Sequence, residues 1–154
     1  MIFKAIAEPD RDIFIQLMTY YYRDGEDANT AQAELDDFIS YLFGMCNDGV
    51  IHGCIAIAEK PAGFVLWNID TFDSPFSNWP GRGTILEIGV APEFRLSGLG
   101  SRLVSHAESE MQRAGTYSFY VCAYGPAVEF WKKCGYLKTD MIAGNDLPIY
   151  AKGT

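Results

Sequence analysis

The stretch Ile85–Val104, ILEIGVAPEFRLSGLGSRLV, changes its hydrophobic periodicity near its middle. The part from Thr84 to Ala91 is a short, mostly apolar run rich in β-branched residues, which predicts a strand. From Gly98 to Ala114 the apolar residues recur three and four positions apart, which predicts an amphipathic helix. These apolar residues are Leu99, Leu103, Val104, Ala107 and Met111. A strand therefore enters a helix through a loop that ends in two glycines.

The loop at this helix entrance is suited to bind an anion. The first turn of a helix has N–H groups without intrahelical partners and the positive end of the helix dipole, and glycine lets an anion approach the backbone closely. Arg95, Ser97 and Ser101 add side-chain donors. A P-loop would have Lys and then Ser or Thr after its last glycine, and a dinucleotide-binding loop would have a third glycine at the position of Leu103. The sequence matches neither, so a phosphate loop of another type is expected.

Strands and helices are readable along the rest of the chain. A strand at Tyr117–Tyr124 follows the helix, and the order strand, helix, strand predicts two parallel strands joined by a right-handed crossover. Further strands are predicted at Ile2–Ile6, Val50–Ala58, Gly63–Ile69, Tyr136–Thr139 and Pro148–Ala151, and further helices at Pro9–Gly25, from Asn29 or Thr30 to Cys46, and at Pro126–Cys134. The turn EKPA joins two of the strands as a hairpin, and Asp70–Gly83 is predicted to be loop. The fold class is therefore mixed α/β.

Composition favours one globular domain over residues 1–154. The hydrophobic fraction is 49% and the charged fraction 21%, so a packed core is expected. Twenty acidic against twelve basic residues give a net charge of −8, which argues against nucleic-acid binding and suits a cationic partner. The four cysteines form no CxxC pair, so neither a metal site nor a disulfide framework is indicated. No apolar run approaches the roughly 18 residues of a membrane span, and no signal peptide is evident, so we expect a cytoplasmic location.

Two motifs resemble those of one known family. The pattern V-x-P-x-F-R-x-x-G-x-G, from Val90 to Gly100, resembles the acyl-CoA-binding motif of the GNAT superfamily of N-acetyltransferases. AVEFWKKCGY, from Ala127 to Tyr136, resembles the family's second signature, A-x-x-F-[YW]-x-x-x-G-[FY]. The order of elements also agrees over nearly the full chain. The resemblance implies a mostly antiparallel mixed sheet with helices on both faces and a central strand, helix, strand unit that binds acyl-CoA.

The resemblance also assigns residues to the donor, acetyl-CoA. The main chain of Ile88, Gly89 and Val90 would pair with the pantetheine arm as an added strand does. The loop residues Arg95, Leu96, Ser97, Gly98, Leu99, Gly100 and Ser101 would surround the pyrophosphate. Trp131 would pack against the pantetheine arm or in the core.

The proton-handling residues of the family are replaced here. Many members have a glutamate where this chain has Thr84, and a tyrosine where it has Trp131. Glu87 is the nearest substitute base, because it interrupts an apolar strand and a buried carboxyl group has a raised pKa. It could instead be structural, paired with an arginine or the backbone, and alternation places it on the strand face opposite Thr84. Tyr124 is the substitute acid that would protonate the leaving thiolate. Alternatively, Tyr124 has only a structural role, as part of one face of a half-buried strand.

The acceptor is readable only as a class. The tract YYYRDGEDANT and the loop DTFDSPFSNW interleave aromatic residues with acidic ones, which suits a primary amine that is cationic and partly apolar. The acidic residues are Asp24, Glu26, Asp27, Asp70 and Asp73. His52 is a further candidate base, since its pKa is ordinarily near neutrality. An alternative function stays open, namely a regulatory module that binds acyl-CoA without catalysis. The oligomeric state is also open, and the resemblance makes a homodimer possible because dimers are common in the family.

Overall fold

The computed structural model describes residues 1–25 and 28–153. Over these residues it has seven strands: β1 (Ile2–Ala5), β2 (His52–Ile57), β3 (Pro61–Ile69), β4 (Gly83–Val90), β5 (Phe119–Cys122), β6 (Leu137–Ile142) and β7 (Pro148–Lys152). The α-helices in the same part of the chain are α1 (Arg11–Asp24), α2 (Gln32–Asn47), α3 (Leu99–Arg113) and α4 (Val128–Lys133). All predicted strands and helices are therefore present.

The strands form one sheet in the order β1-β2-β3-β4-β5-β7-β6. β4 and β5 are parallel, with Gly83 opposite Phe119 and Thr84 opposite Tyr120. β1 pairs with β2, β5 with β7 and β6 with β7 in antiparallel fashion. The mixed α/β class, the mostly antiparallel sheet and the parallel pair of strands joined through α3 are thus confirmed.

The element bounds differ from the predicted ones where the backbone has other partners. Val50 and Ile51 donate their N–H groups to the carbonyl of Met45 at the end of α2, so β2 begins only at His52. The second helix begins at Gln32, later than predicted, because the carbonyl of Thr30 accepts a hydrogen bond from the Arg23 side chain at 2.6 Å and the first helical bond runs from Leu35 to Ala31. The hydrophobic periodicity of the sequence does not predict such hydrogen bonds at the ends of elements.

The chain divides into two compact units, the first formed by Met1–Leu66 with Glu87–Leu103. Its core is built from α1 and α2, whose buried residues recur at helical spacing. Phe14 and Met18 of α1 and Phe43 of α2 are fully buried, and the rings of Phe14 and Phe43 meet edge to face with centroids 5.4 Å apart. The β2–β3 hairpin closes with a bond from the N–H of Ala58 to the carbonyl of Lys60 at 3.0 Å.

The second unit comprises Trp67–Leu86 and Val104–Thr154. Its core contains a buried polar network in which the Tyr136 hydroxyl donates to Glu108 at 2.8 Å and Lys152 donates to the other oxygen at 2.9 Å. Burial and the neighbouring carboxylate raise the pKa of Tyr136. Among the described residues, no helix has the length and apolar character that crossing a membrane requires.

Candidate active site

A cavity of about 590 Å³ lies between α1, the start of β3 and the end of β4. This is within the usual range of roughly 300 to 1,000 Å³ for small-molecule sites. Its lining includes Gln16, Leu17, Tyr20, Tyr21 and Asp24 of α1, Lys60, Pro61 and Phe64, and the segment 88–93 with Arg95. The cavity therefore brings aromatic and acidic side chains of the first helix to the strand end that precedes the glycine loop.

Two glycines permit the close packing beside this cavity. A Cβ atom on Gly63 would lie 2.7 Å from the carbonyl oxygen of Gly89. A Cβ atom on Gly89 would lie 2.6 Å from Cε1 of Phe64 and 3.2 Å from Cδ2 of Tyr21. Because neither strand has a side chain there, the Tyr21 ring can lie directly on the backbone of β4 and meet Phe64 edge to face, with centroids 5.4 Å apart.

The Glu87 carboxylate is held by two consecutive tyrosines of α1. The Tyr21 hydroxyl donates to Oε2 at 2.7 Å, and the Tyr22 hydroxyl donates to Oε1 at 2.9 Å. Tyr22 is buried, whereas Tyr21 lines the cavity. These two hydroxyl contacts add to the arginine and backbone contacts that were considered from the sequence for a structural role of Glu87. The two tyrosines were not predicted to meet Glu87, and their only signal was the run of three tyrosines at 20–22.

Both cationic side chains at the rim of the cavity are paired with carboxylates. Arg95 donates through Nη2 to Asp24 at 2.9 Å and through Nε to the carbonyl of Val90 at 3.1 Å. Lys60 contacts Glu93 at 2.5 Å, and this hydrogen bond lowers the pKa of the Glu93 carboxyl group. Arg95 and Asp24 are each about half exposed, so a solvated anion can compete for the guanidinium.

The loop from Arg95 to Gly98 is exposed and curls sharply into α3. Leu96 and Gly98 have positive φ angles of 59° and 81°. The first helical bond runs from the N–H of Arg102 to the carbonyl of Gly98 at 3.2 Å, so the N–H groups of residues 99–101 precede the helical ladder. Leu99 buries its side chain and anchors the helix. The arrangement has the backbone geometry of an anion-binding helix entrance.

At the start of β4, Thr84 belongs to a buried polar cluster in the second unit. Its hydroxyl is hydrogen-bonded to Tyr120, whose own hydroxyl donates to the Asp70 carboxylate. The same carboxylate oxygen, Oδ2, accepts the N–H groups of Asn78 at 2.9 Å and Trp79 at 3.0 Å. Burial and the contact with Asp70 raise the pKa of Tyr120. Asp70 thus holds the loop that follows β3, while its Oδ1 is buried without a hydrogen-bond partner.

The other residues predicted for the site lie in the second unit. Trp131 is buried, and its ring packs edge to face on Phe130 and Tyr136 with centroids 5.1 and 5.4 Å away. Tyr124 precedes a 3-10 turn, Gly125–Ala127, and is 36% exposed. The indole of Trp131 therefore lies in the core of its unit, and the Tyr124 phenol is accessible to solvent.

The acidic residues proposed for the acceptor differ in their surroundings. Asp24 lines the cavity, Asp73 is exposed and Asp70 is buried in the cluster described above. Glu26 and Asp27 lie outside the described residues. His52 is exposed at the start of β2. Within residues 1–25 and 28–153, no group of three or more His, Cys, Asp or Glu side chains is arranged to hold a metal ion.

Comparison with known proteins gives one family match. The profile of the Acetyltransferase (GNAT) family matches residues 10–136. This span includes both motifs, from the strand before the glycine loop to the Gly-Tyr pair after α4. No curated protein has significant sequence similarity to the chain.

Solved structures share the fold at low sequence identity. A GCN5-related N-acetyltransferase from Ralstonia eutropha JMP134 superposes with a TM-score of 0.75 at 22% identity, over 92% of this chain and 95% of that one. The PaiA N-acetyltransferase from Thermoplasma acidophilum, in complex with coenzyme A, has a TM-score of 0.75 at 16% identity, with both chains fully covered at 100%. An aminoglycoside 6'-N-acetyltransferase from Acinetobacter haemolyticus has a TM-score of 0.74 at 14% identity, covering 93% and 95% of the two chains.

Proposed function

The chain belongs to the acetyltransferase (GNAT) family, which confirms the resemblance of its motifs, and from this membership we propose that it is an acyl-CoA-dependent N-acyltransferase. It transfers an acetyl or other short acyl group to a primary amine by direct attack in a ternary complex. The observation that carries this proposal is the cavity in which the main chain of 88–90, Arg95 and the polar face of α1 lie together, beside the carboxylate of Glu87.

The donor half of the proposal rests on main-chain geometry. Ile88, Gly89 and Val90 line the cavity, where a pantetheine arm would pair with the main chain of this segment. The positive φ angles at Leu96 and Gly98 turn the loop toward the N-terminus of α3, where N–H groups can donate hydrogen bonds to the pyrophosphate. Arg95, in the same loop, supplies a guanidinium beside the Val90 carbonyl. The Thermoplasma protein of the same fold binds coenzyme A, which supports CoA as the ligand here.

The reaction requires a neutral amine, because an alkylammonium ion with a pKa of about 10 has no lone pair for attack. Glu87 is the proposed base, since its carboxylate lies next to the donor segment and has two oriented hydroxyl partners. Tyr124 is the proposed acid for the leaving thiolate. Its partial exposure is compatible with that role, whereas the buried indole of Trp131 is no useful general acid and is proposed to pack against the pantetheine arm or in the core.

The proposed acceptor is a cationic amine. The α1 wall of the cavity presents Gln16, Tyr20, Tyr21 and Asp24, which offer hydrogen bonds, aromatic faces and a carboxylate. The charge of −8 over the whole chain also favours a cationic partner over an anionic one. Polyamines, aminoglycosides and peptide amines all have this chemistry.

A second candidate is a regulatory module that binds acyl-CoA without catalysis. It is favoured by one observation: Thr84, at the position of the usual glutamate, is buried in a hydrogen-bonded cluster instead of presenting a carboxylate. The enzyme is preferred because well-positioned reactants tolerate variation in the acid and base groups. A cytoplasmic location, a single domain over residues 1–154 and a homodimer stay predictions.

Release of CoA thiol separates the two candidates. The protein is incubated with acetyl-CoA or a longer acyl-CoA and with spermidine, kanamycin or a lysine-containing peptide, and the free thiol is measured. An enzyme releases thiol only when an amine is present, whereas a regulatory module binds acetyl-CoA in calorimetry and releases none. Failure to bind acetyl-CoA at all would contradict both candidates. Reaction of non-amine acceptors alone would contradict the assignment of the acceptor class.

A further inference from the structure

Glu87 reaches the cavity through a tyrosine. Of the two tyrosines that donate to Glu87, Tyr21 lines the cavity, and Tyr22 is 4% exposed. The Tyr21 hydroxyl donates to Glu87 Oε2 at 2.7 Å, and a phenol oxygen that donates one hydrogen bond can still accept another. A group in the cavity can therefore reach the carboxylate through this hydroxyl.

We propose, on the basis of the proposed function, that Tyr21 is a catalytic residue that takes a proton from the acceptor ammonium and passes its own phenolic proton to Glu87. Tyr22 is a positioning residue that fixes the same carboxylate from the buried side. The roles differ because the two hydroxyls approach different oxygens of the carboxylate, and of the two tyrosines it is Tyr21 that contributes to the cavity wall.

Tyr21 belongs to α1, but its ring packs against β4, next to the segment proposed to bind the donor. Its ring packs where Gly89 has no side chain, and Gly89 belongs to the strand segment proposed to hold the pantetheine arm. An ammonium that donates to the Tyr21 oxygen is thus held beside the backbone that orients the thioester. A side chain at position 89 would push the ring away from the strand, so the glycine is required for this arrangement.

The proton and electron balance closes without a further reactant. The ammonium loses one proton to the Tyr21 oxygen while the Tyr21 O–H proton moves to Glu87, which becomes a neutral carboxylic acid. The amine lone pair forms the N–C bond with the thioester carbonyl, and the C–S bond then breaks with its electron pair on sulfur. Tyr124, the proposed acid, gives its phenolic proton to that sulfur and regains a proton from the second N–H. The products are the amide, the CoA thiol and protonated Glu87, which returns its proton to solvent.

The test compares Tyr21→Phe with Tyr22→Phe, because each removes one hydroxyl from the same carboxylate. At pH 7 with spermidine and acetyl-CoA, we expect Tyr21→Phe to lower kcat about 100-fold, in the range usual for general acid–base groups. The dissociation constant of CoA should be unchanged. Tyr22→Phe should lower kcat by less than about fivefold. Tyr41→Phe, which removes an exposed hydroxyl on α2, should leave kcat unchanged.

The pH profile distinguishes a relay from a structural role. As pH rises from 7 to 9.5, the neutral fraction of an amine with a pKa of about 10 rises more than about a hundredfold in solution. The defect of Tyr21→Phe should therefore shrink at least tenfold, while that of Tyr22→Phe stays constant. Glu87→Gln, which removes the final proton acceptor, should reproduce the profile of Tyr21→Phe even where a tyrosine variant folds poorly. Equal defects in both tyrosine variants, or a pH-independent defect in Tyr21→Phe, would overturn the relay while leaving the enzyme assignment intact. Absence of thiol release by the wild type with every amine would overturn the proposed function and the relay together.

Discussion

On the scale of single residues, β4 shows how one strand serves two polar environments. Thr84 and Glu87 are three positions apart and so point to opposite faces of the strand. Thr84 is bonded to Tyr120, and Glu87 to Tyr21 and Tyr22. The sequence identifies Glu87 as a carboxyl group within an apolar strand. It does not identify the partners, which are 66 and 65 positions away along the chain.

Gly98 gives a prediction at the same scale. Its φ of 81° is strained for any residue with a Cβ atom, although no neighbouring atom lies within 4 Å of that position. We expect Gly98→Val to destabilise the protein by about 1 to 2 kcal/mol, the cost of one left-handed residue. A valine side chain at the helix entrance should also block the approach of the pyrophosphate, so CoA binding in calorimetry should be lost.

The matched control is Gly115→Val. Gly115 has a φ of 95° and equally open surroundings, but it follows the C-terminal end of α3. The Gly115→Val protein should be destabilised to the same degree as Gly98→Val and should still bind CoA with the affinity of the wild type. Tight CoA binding by Gly98→Val would remove the loop from the donor site.

On the scale of elements, the ion pair of Arg95 with Asp24 connects the end of α1 to the loop after β4. The guanidinium also bonds the Val90 carbonyl, so it lies against the strand end where the donor is proposed to bind. In the protein without a bound anion, the Arg95 guanidinium thus already has two hydrogen-bond acceptors. The resemblance of the motif predicts that Arg95 contacts the pyrophosphate, but the ion pair with Asp24 is visible only in the folded structure.

Asp24→Asn tests this competition with CoA alone. The pair is about half exposed, which limits its contribution to roughly 0.2 to 1 kcal/mol. Freed from this partner and from a nearby negative charge, Arg95 should bind the pyrophosphate more strongly, so the dissociation constant of CoA should fall about two- to fivefold. The gain should diminish in 0.5 M salt, where exposed charges are screened.

Asp12→Asn provides the comparison for that experiment. It changes the net charge equally from an exposed position in the first turn of the same helix. Its affinity for CoA should match that of the wild type. An Asp24→Asn protein that binds CoA as weakly as the wild type, or more weakly, would show that Asp24 does not compete for Arg95.

On the scale of the whole molecule, buried acids determine how stability responds to alkaline pH. Burial raises the pKa of the Cys46 thiol from its usual 9.0 to about 12, and the pKa values of Tyr120 and Tyr136 are raised as well. A group whose pKa is raised in the folded state holds its proton more tightly there than in the unfolded chain. Its contribution to stability is complete below the unfolded pKa and is lost as pH rises above that value.

We therefore expect the free energy of unfolding to be nearly level at pH 7 to 8.5 and to fall above about pH 9. Each such group contributes a slope of about 1.4 kcal/mol per pH unit once its unfolded form is ionised. Urea midpoints measured at pH 8, 9 and 10.5 test this. Cys46→Ala should be less stable at pH 8 because it leaves a cavity, but should lose less between pH 9 and 10.5. A midpoint that does not change over this range would contradict the assigned burial effects.

The order of elements, the mixed α/β class and the glycine loop were all predictable from the sequence, because they depend on local patterns. The change from strand to helix periodicity within Ile85–Val104 is an example. Such a pattern, like the position of a glycine, involves only neighbouring residues, so it can be recognised without knowing what the segment packs against. The boundaries at Val50 and Thr30 were not predictable, since they depend on hydrogen bonds to Met45 and Arg23.

The sequence by itself thus determined the family, predicted a donor-binding segment, and identified Glu87 as a carboxyl group within an otherwise apolar strand. Only the tertiary structure decided that two tyrosines of α1 donate hydrogen bonds to this carboxylate. It also decided that Asp24 forms an ion pair with Arg95. Thr84 likewise belongs to a buried cluster with Asp70 and Tyr120 only because of the tertiary structure. The physical reason is that these contacts join segments distant in sequence. Their geometry is fixed only when side chains pack, as at Gly89, where the missing Cβ admits the Tyr21 ring.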